Sequence, residues 1–517
     1  MRAVAVAALL AALVVVAVGW SVAGRDGDRS GRRGATKPAA AAAAGTVDPR
    51  PSVAVLPFAN LTADARGEYF SDGISEEILH LLVQSDGLRV IARTSSFAFK
   101  NQPVGIDDIA TRLGVGYVVE GSVRSSGPNL RITAQLIDAR DSSHVWSRVY
   151  DGDARDVLAV QRDIASQIAA ALEATLAVDP RSASPAPTPA AYEAFLRARF
   201  MFNRRLPGDL VRAQQAFEEA LRFDPRFARA AAGLAGVYAA RIVEEPDADA
   251  DALLRKAREA VETALRLDPD SAEARIRAAR YHFEIGDVER AEREAAIAQD
   301  LAPEDPAVLS WFAASLASQG RFEESIAMER RVVAADPISR VVRINFGHHL
   351  LAAGLLEEAR TELERAIEIE PHTATEVAVD LVRILLLEGR YQEAWAEAER
   401  WPPGPDRDFV IAVAGAASER PVKAAAAVGR LRAGTGPGEA LRLAEFHAYR
   451  GEHDHAFEWL DTAYDRLGTR AYVSMKWQWI YPLRFSPFLR SLRSDPRWAD
   501  STRRADPVRI PQVARRA

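Results

Sequence analysis

The stretch RLDPDSAEARIRAARYHFEIGDVERAEREAAIAQDLAP, residues 266–303, decides how most of this chain is read. It opens on RLDP and closes on DLAP, and its two prolines, Pro269 and Pro303, stand 34 residues apart. The same step gives Pro337, Pro371 and Pro405, with AADP and EIEP closing two more copies. Gly286, Gly320 and Gly354 share that register, and Ala291, Ser325 and Ala359 each follow five residues later. Gly389 and Ala394 continue the pattern one residue late. Chance does not place five prolines and three glycines in one register. Each unit reads as two helices broken at the glycine, meeting where the small residue allows close approach. Proline cannot extend the hydrogen-bond ladder, so it ends the second helix. Such a hairpin buries its apolar face only against its neighbours, and stability grows by stacking.

This unit resembles the tetratricopeptide repeat. Five or six copies fit between 190 and 405, and Asp224-Pro225 ends an earlier one. That end lies 44 residues before Pro269, which implies an insertion around 243–252. FHAYRGEHDHAFEWLDTAYD (446–465) is a further, degenerate hairpin, so the array is expected over 190–470. The aromatic tail MKWQWIYPLRFSPFLRSLRSDPRW begins a segment, 471–517, read as a cap on the last repeat, with a partner-binding patch as the other reading. The resemblance implies a concave face, lined by first helices, that holds peptides or partner helices. Aligning the repeats on their prolines places Arg280, Phe283, Ser310, His348 and Leu351 on that face. Phe283 and Leu351 serve equally well as core. The Lys and Asn ladder that clamps a C-terminal carboxylate in some members is not recognisable, and Asn345 alone does not make one.

Upstream, residues 51–177 alternate strand and helix signals. SVAVLPF (52–58) and LRVIA (88–92) read as strands, and IDDIATRLG (106–114) as a short helix stopped by glycine. Between the strands, Ser71-Asp72-Gly73 offers a helix cap, with Glu76 and Glu77 near the positive end and Ile78, Leu81 and Leu82 as the apolar stripe. Tyr117, Val119, Gly121 and Val123 share one strand face; Leu130, Ile132, Ala134 and Leu136 share the next, after the turn SSGPN. HVWSRVY (144–150) is a third strand, and a helix over 156–176 ends the segment. The order β-α-β-α-β-β-β-α is a small α/β domain. VAVLPFANLT, EYFSDGISEEI, LRVIARTSSFAFK, LGVGYVVEGSV, LRITAQLIDA and HVWSRVYD, in this order, resemble the TolB-like or FlgO-like domain of bacterial envelope and signalling proteins. Relatives of that type stand beside helical repeats and often carry cyclase, kinase or winged-helix modules. The resemblance implies no catalytic residues. The linker VDPRSASPAPTP (178–189), with four prolines, follows as an extended spacer.

Residues 3–23 carry no charge and as a helix would span roughly 31 Å, enough for a bilayer core. They read as a single membrane anchor or, with Ser21-Val22-Ala23 as a cleavage site, as a secretory signal. A Gly-, Ala- and Arg-rich linker completes residues 1–50. Arg25, Arg29, Arg32, Arg33 and Lys37 follow the apolar run and favour a cytoplasmic flank. The TolB-like resemblance favours the envelope side. The expectation is a soluble part outside the cytoplasm, with a cytoplasmic orientation left open.

The fold class is therefore multidomain: an N-terminal membrane helix, a small α/β domain and an all-α solenoid. The 517 residues are 48% apolar, with net charge −6 and no cysteine. That excludes disulfides and thiolate chemistry, and no global field points to nucleic acid. His453-Asp454-His455, near His447, falls in the loop after Gly451 and reads as solvated; His348 and His349 are adjacent on a helix and point apart. Capping and the helix dipole account for Asp72, Glu76 and Glu77. Glu289 with Arg293 is a weak exposed pair. No catalytic, cofactor or metal residues are assigned. The expected function is a non-enzymatic envelope scaffold that binds proteins or peptides, with no nucleic acid and an undetermined oligomeric state. The alternative is a regulatory subunit acting with a separate adenylate cyclase, kinase or winged-helix regulator.

Overall fold

The computed structural model describes residues 50–176, 187–467 and 486–504, apart from 63–65, 127–128, 154–155, 246–247, 286, 319 and 419. The apolar run 3–23, residues 177–186 of the proline-rich linker, Gly286 and residues 475–485 of the aromatic tail lie outside it. Among the described residues, no helix is long and apolar enough to cross a membrane.

The first part contains β1 (Ser52–Val55), β2 (Ala59–Asn60), α1 (Arg66–Val83), β3 (Ser85–Asp86), β4 (Arg89–Val90), α2 (Arg93–Phe97), α3 (Ile106–Leu113), β5 (Tyr117–Ser126), β6 (Asn129–Asp138), β7 (Ser143–Asp153), α4 (Val157–Ala171) and β8 (Thr175–Leu176). The main sheet runs β4-β1-β5-β6-β7, and β2 pairs with β5. β1 is parallel to β4 and β5, whereas β5, β6 and β7 form an antiparallel meander. Strand alternation puts Leu130, Ile132, Ala134 and Leu136 in one core with Ile74, Ile78 and Leu82 of α1 and Ile164 and Ile168 of α4. Ala54 and Val118 look the other way, onto Ile109 and Leu113 of α3. Gly114 caps α3 in the left-handed conformation, φ 66°. A side chain at Gly121 would collide with Phe58 and the Thr133 carbonyl, so the Phe58 ring can lie this close to β5 only against glycine.

The expected cap at Ser71-Asp72-Gly73 is not where α1 begins. The helix starts at Arg66, and these three residues sit inside it, buried.

Among the described residues that follow, sixteen helices form eight hairpins: α5 (Pro189–Arg204) with α6 (Asp209–Phe223), α7 (Ala228–Glu244) with α8 (Ala250–Leu267), α9 (Ala272–Glu284) with α10 (Val288–Leu301), and α11 (Pro306–Ser318) with α12 (Phe322–Ala335). They continue with α13 (Arg340–Ala353) and α14 (Leu356–Ile369), α15 (Thr373–Leu387) and α16 (Tyr391–Glu399), α17 (Pro405–Ala416) and α18 (Pro421–Ala433), and α19 (Pro437–Tyr449) and α20 (His453–Leu467). Ala291, Ser325, Ala359, Ala394 and Ala456 are all fully buried, as close helix approach requires. Gly320, Gly354, Gly389 and Gly451 turn the chain between paired helices at φ 75–85°. Arg275 reaches Glu294 and the Pro269 carbonyl, and Arg343 makes the same two contacts with Glu362 and Pro337. One side chain thus ties both helices of a hairpin to the preceding turn. Pro405 differs from its counterparts: it opens α17 at the first helical position instead of closing the helix before it. His453 and His455 lie in the first turn of α20, not in a loop.

After the array, a 3₁₀ helix (Pro487–Ser494) seats Phe488 on Phe409 at 5.0 Å between ring centres. Its Leu489 and Leu492 enter the core of the last hairpin. A short helix, α21 (Arg497–Arg504), follows, with Arg497 on Asp454.

Candidate functional site: the docked domain

The α/β domain is not a separate bead. Its core runs without a break into α5–α9: Ile78 and Leu82 belong to the same buried cluster as Phe195, Phe217, Phe227 and Tyr238. Gly73 makes this possible, because a Cβ there would stand 2.7 Å from a Leu196 methyl. α1 can therefore lie flush on α5.

Charge fixes the seat. Glu76 is 5% exposed. It accepts from Arg199 Nε at 2.8 Å, from Arg93 Nε at 3.0 Å and from Asn203 Nδ2 at 3.2 Å. Burial alone would raise its pKa; the facing Arg199 and Arg93 outweigh that and hold it below the usual glutamate value. Glu77 takes both terminal nitrogens of Arg229, from α7. Arg199 also donates to Glu273 of α9 at 3.1 Å. Burial opposes ionisation of Glu273, but Arg199 and Arg277 bring its pKa down to about 2. His80 sits beside this cluster and is held below its ordinary value, by burial first and then by Arg229. On the flank, Lys100 binds Asp72 and Glu68, yet burial leaves the Asp72 carboxyl raised.

A second contact lies far along the array. Ala92 N–H donates to the Ala335 carbonyl at 2.7 Å, and Arg89 donates to the Ala334 carbonyl at 3.1 Å. Asp336 accepts from the Ser95 backbone at 3.0 Å and from its hydroxyl, while Ile338 packs into the α3 core. Burial raises the Asp336 pKa despite these bonds. One domain thus touches the first helices of two hairpins, α5 and α7, and the turn after the fourth, while Arg199 of α5 carries the same network on to α9.

The sequence alignment grouped five residues as groove candidates, and the structure places them differently. Arg280, Phe283, Ser310 and His348 are half-buried on α9, α11 and α13. Leu351 is 4% exposed and lies in the core with Leu350 and Leu363. Arg280 Nε is buried without a hydrogen-bond partner. His348 bonds Asp380 at 3.0 Å, which raises its pKa against the effect of burial. The adjacent His349 turns the other way, onto Glu329 at 2.9 Å. Further on, Glu445 gathers Arg383, Arg442 and Ser486, tying α15, α19 and the terminal segment together. Donor atoms of His447, Glu452 and His455 lie within 4.8 Å of one another, with His447 Nδ1 2.5 Å from Glu452.

Glu76, Glu77, Arg199 and Arg229 are the residues that sequence reasoning missed. The helix dipole explained the two acids locally, and no local pattern joins them to arginines more than 120 residues away.

These features define a class: a stacked helical-hairpin array carrying a docked α/β domain. Within that array the tetratricopeptide repeat model matches residues 252–314. A Rhizobium meliloti (strain 1021) protein named putative adenylate cyclase 3 is 38% identical over 188 residues, which is 36% of this chain and 32% of that one. The chain therefore spans about a third of that relative's length. Among solved structures, Pseudomonas aeruginosa PilF is 19% identical, covering 41% of this chain and 92% of its own, with a TM-score of 0.33. YrrB, described as a TPR protein with an unusual peptide-binding site, is 21% identical over 37% of this chain and 89% of its own, TM-score 0.25. TolB from Acinetobacter baumannii is 19% identical over 24% of this chain and 28% of its own, TM-score 0.19.

Proposed function

We propose that this chain is a non-catalytic scaffold that holds partner polypeptides on its repeat array. The observation that carries the reading is the array itself: eight stacked hairpins, with Arg280, Ser310 and His348 partly exposed on successive first helices. The domain over 51–177, read as TolB-like, would brace the array through Glu76, Glu77 and the Ser95–Asp336 contact. Residues 3–23 would tether the assembly to a membrane, with the remainder outside the cytoplasm. Partners are proteins or peptides rather than nucleic acid.

The test uses the intact chain as bait, crosslinked to its neighbours and read by mass spectrometry. A partner whose capture is lost with Arg280→Glu and with His348→Glu, while both variants melt like the parent, supports the scaffold. Capture indifferent to both variants refutes the groove.

One observation favours a second reading, a regulatory subunit of a cyclase system: the identity shared with a protein named putative adenylate cyclase. Co-purification of a separate cyclase, with its activity changed by this chain, would favour regulation. Cyclase activity residing in this chain alone would refute both.

A further inference from the structure

The sheet of the α/β domain has two edges, used differently. β4 forms one edge, beside Ala335 and Asp336 of the array. The other edge is β7, eleven residues long, of which eight are exposed. Val149 is 53% exposed, unusual for an apolar side chain in the middle of a strand. Among the described residues, β7 pairs only with β6. Its outer row of N–H and C=O groups is a template for another strand.

Natural edges are blunted by proline, by a bulge or by charge. β7 has no proline. Its irregularity lies opposite Leu136/Ile137, at the His144–Trp146 end, and Trp146–Asp153 then runs in unbroken register against Leu136–Asn129. The regular part is what a partner strand would meet.

The sequence of that part is complementary to itself in one register. Set antiparallel to a second copy about Val149, Val149 meets Val149, Arg148 meets Tyr150, Ser147 meets Asp151 and Trp146 meets Gly152. Arg148 lies over the Tyr150 ring at 5.2 Å within one strand, both bonded to Asp163 of α4, and across two strands each Arg148 comes opposite a Tyr150. A Cβ at Gly152 would meet nothing within 4 Å, so the position opposite Trp146 is open, while each Trp146 stays packed on its own core. Ser147 can donate to Asp151, which Arg131 already holds. Centring one residue earlier opposes Arg148 to itself, and centring one later opposes Val149 to Asp151; both are unfavourable.

We propose that β7 is a homodimer edge: two copies of this chain pair antiparallel through Trp146–Gly152 about Val149, joining their sheets into one. The partner is a second copy because the register complements itself. The scaffold reading neither requires nor implies this contact.

Sedimentation equilibrium of the purified protein should show a monomer–dimer equilibrium. Val149→Lys sets two ammonium groups face to face and should raise the dissociation constant roughly tenfold or more. Mixing Val149→Lys with Val149→Glu should restore association between the two. The chain has no cysteine, so Val149→Cys should give a disulfide dimer under mild oxidation. Val422→Cys, on the array and 82% exposed, should not. A monomer at every attainable concentration, or a dimer unaffected by Val149→Lys, overturns the proposal.

Discussion

Replacing Glu76 by alanine should loosen the domain from the array. Glu76 is the shared acceptor for Arg199, Arg93 and Asn203. Deleting one member of a buried ion pair commonly costs about 3–5 kcal/mol, because the remaining charge stays desolvated. The arginines here are not fully enclosed: their side chains keep 21% and 26% exposure, and Arg199 retains Glu273. Water and the second acid recover part of the loss, so the expected destabilisation is about 2–3 kcal/mol. Urea melts of parent and variant measure it. A double-mutant cycle with Arg199→Met should give a coupling of at least about 1 kcal/mol. The exposed pair Glu289–Arg293 is the control and should couple by only about 0.2–0.5 kcal/mol. Hydrogen exchange should quicken first in α1 and α5. A Glu76→Ala midpoint within about 0.5 kcal/mol of the parent would refute the claim that this network holds the domain in place.

Gly73→Ala pushes a methyl into Leu196, itself buried, and should cost about 1–3 kcal/mol in the same melts. Ala291→Arg and Ala359→Arg overpack the hairpin contacts and should lower the urea midpoint by at least about 1–3 kcal/mol; unchanged midpoints for both would sink the repeat register. Glu76 and Glu273 have folded pKa values below their unfolded ones, Glu273 at about 2, so their stabilisation is present above the unfolded value and fades as pH falls toward 2. Asp72 and Asp336 are raised and act oppositely, favouring the fold when protonated. Acid melts of Glu273→Gln should therefore show a shallower loss below about pH 4.5 than the parent; an equal slope would mean the network does not titrate with folding.

The repeat array was legible because each hairpin obeys the same local constraints, and periodicity adds the weak signals of Pro269, Pro303 and Pro337 into a strong one. The strands were legible where one face is buried, as Leu130 to Leu136 show by alternation. Local rules misread residues 66–83. Ser71-Asp72-Gly73 has the composition of a cap, but Gly73 is small because Leu196 lies against it, and Asp72 is acidic beside Lys100. The dipole argument for Glu76 and Glu77 was sufficient locally, so nothing in it demanded distant arginines. Pro405 kept the period while changing its role, since the missing N–H is tolerated as well at a helix start as after a helix end.

The docking also bears on what a repeat array can do. In a solenoid each repeat contacts only its neighbours, and small changes at successive contacts add up to a soft overall curvature. Here the α/β domain joins units at both ends of a stretch of four hairpins: α5 and α7 through Glu76 and Glu77, and the turn after α12 through Ser95 and Asp336. Bending that stretch would separate one end from the brace, exposing buried Glu76 or stripping Asp336 of its donors. The braced hairpins therefore behave as one body. A polypeptide bound there meets a preset surface and loses less free energy to ordering it than on an unbraced array. Further along, the terminal 3₁₀ helix spans separate hairpins in the same way: Arg493 lies over the Phe322 ring of α12, Phe488 packs on Phe409 of α17, and Ser486 joins Arg383 and Arg442 on Glu445.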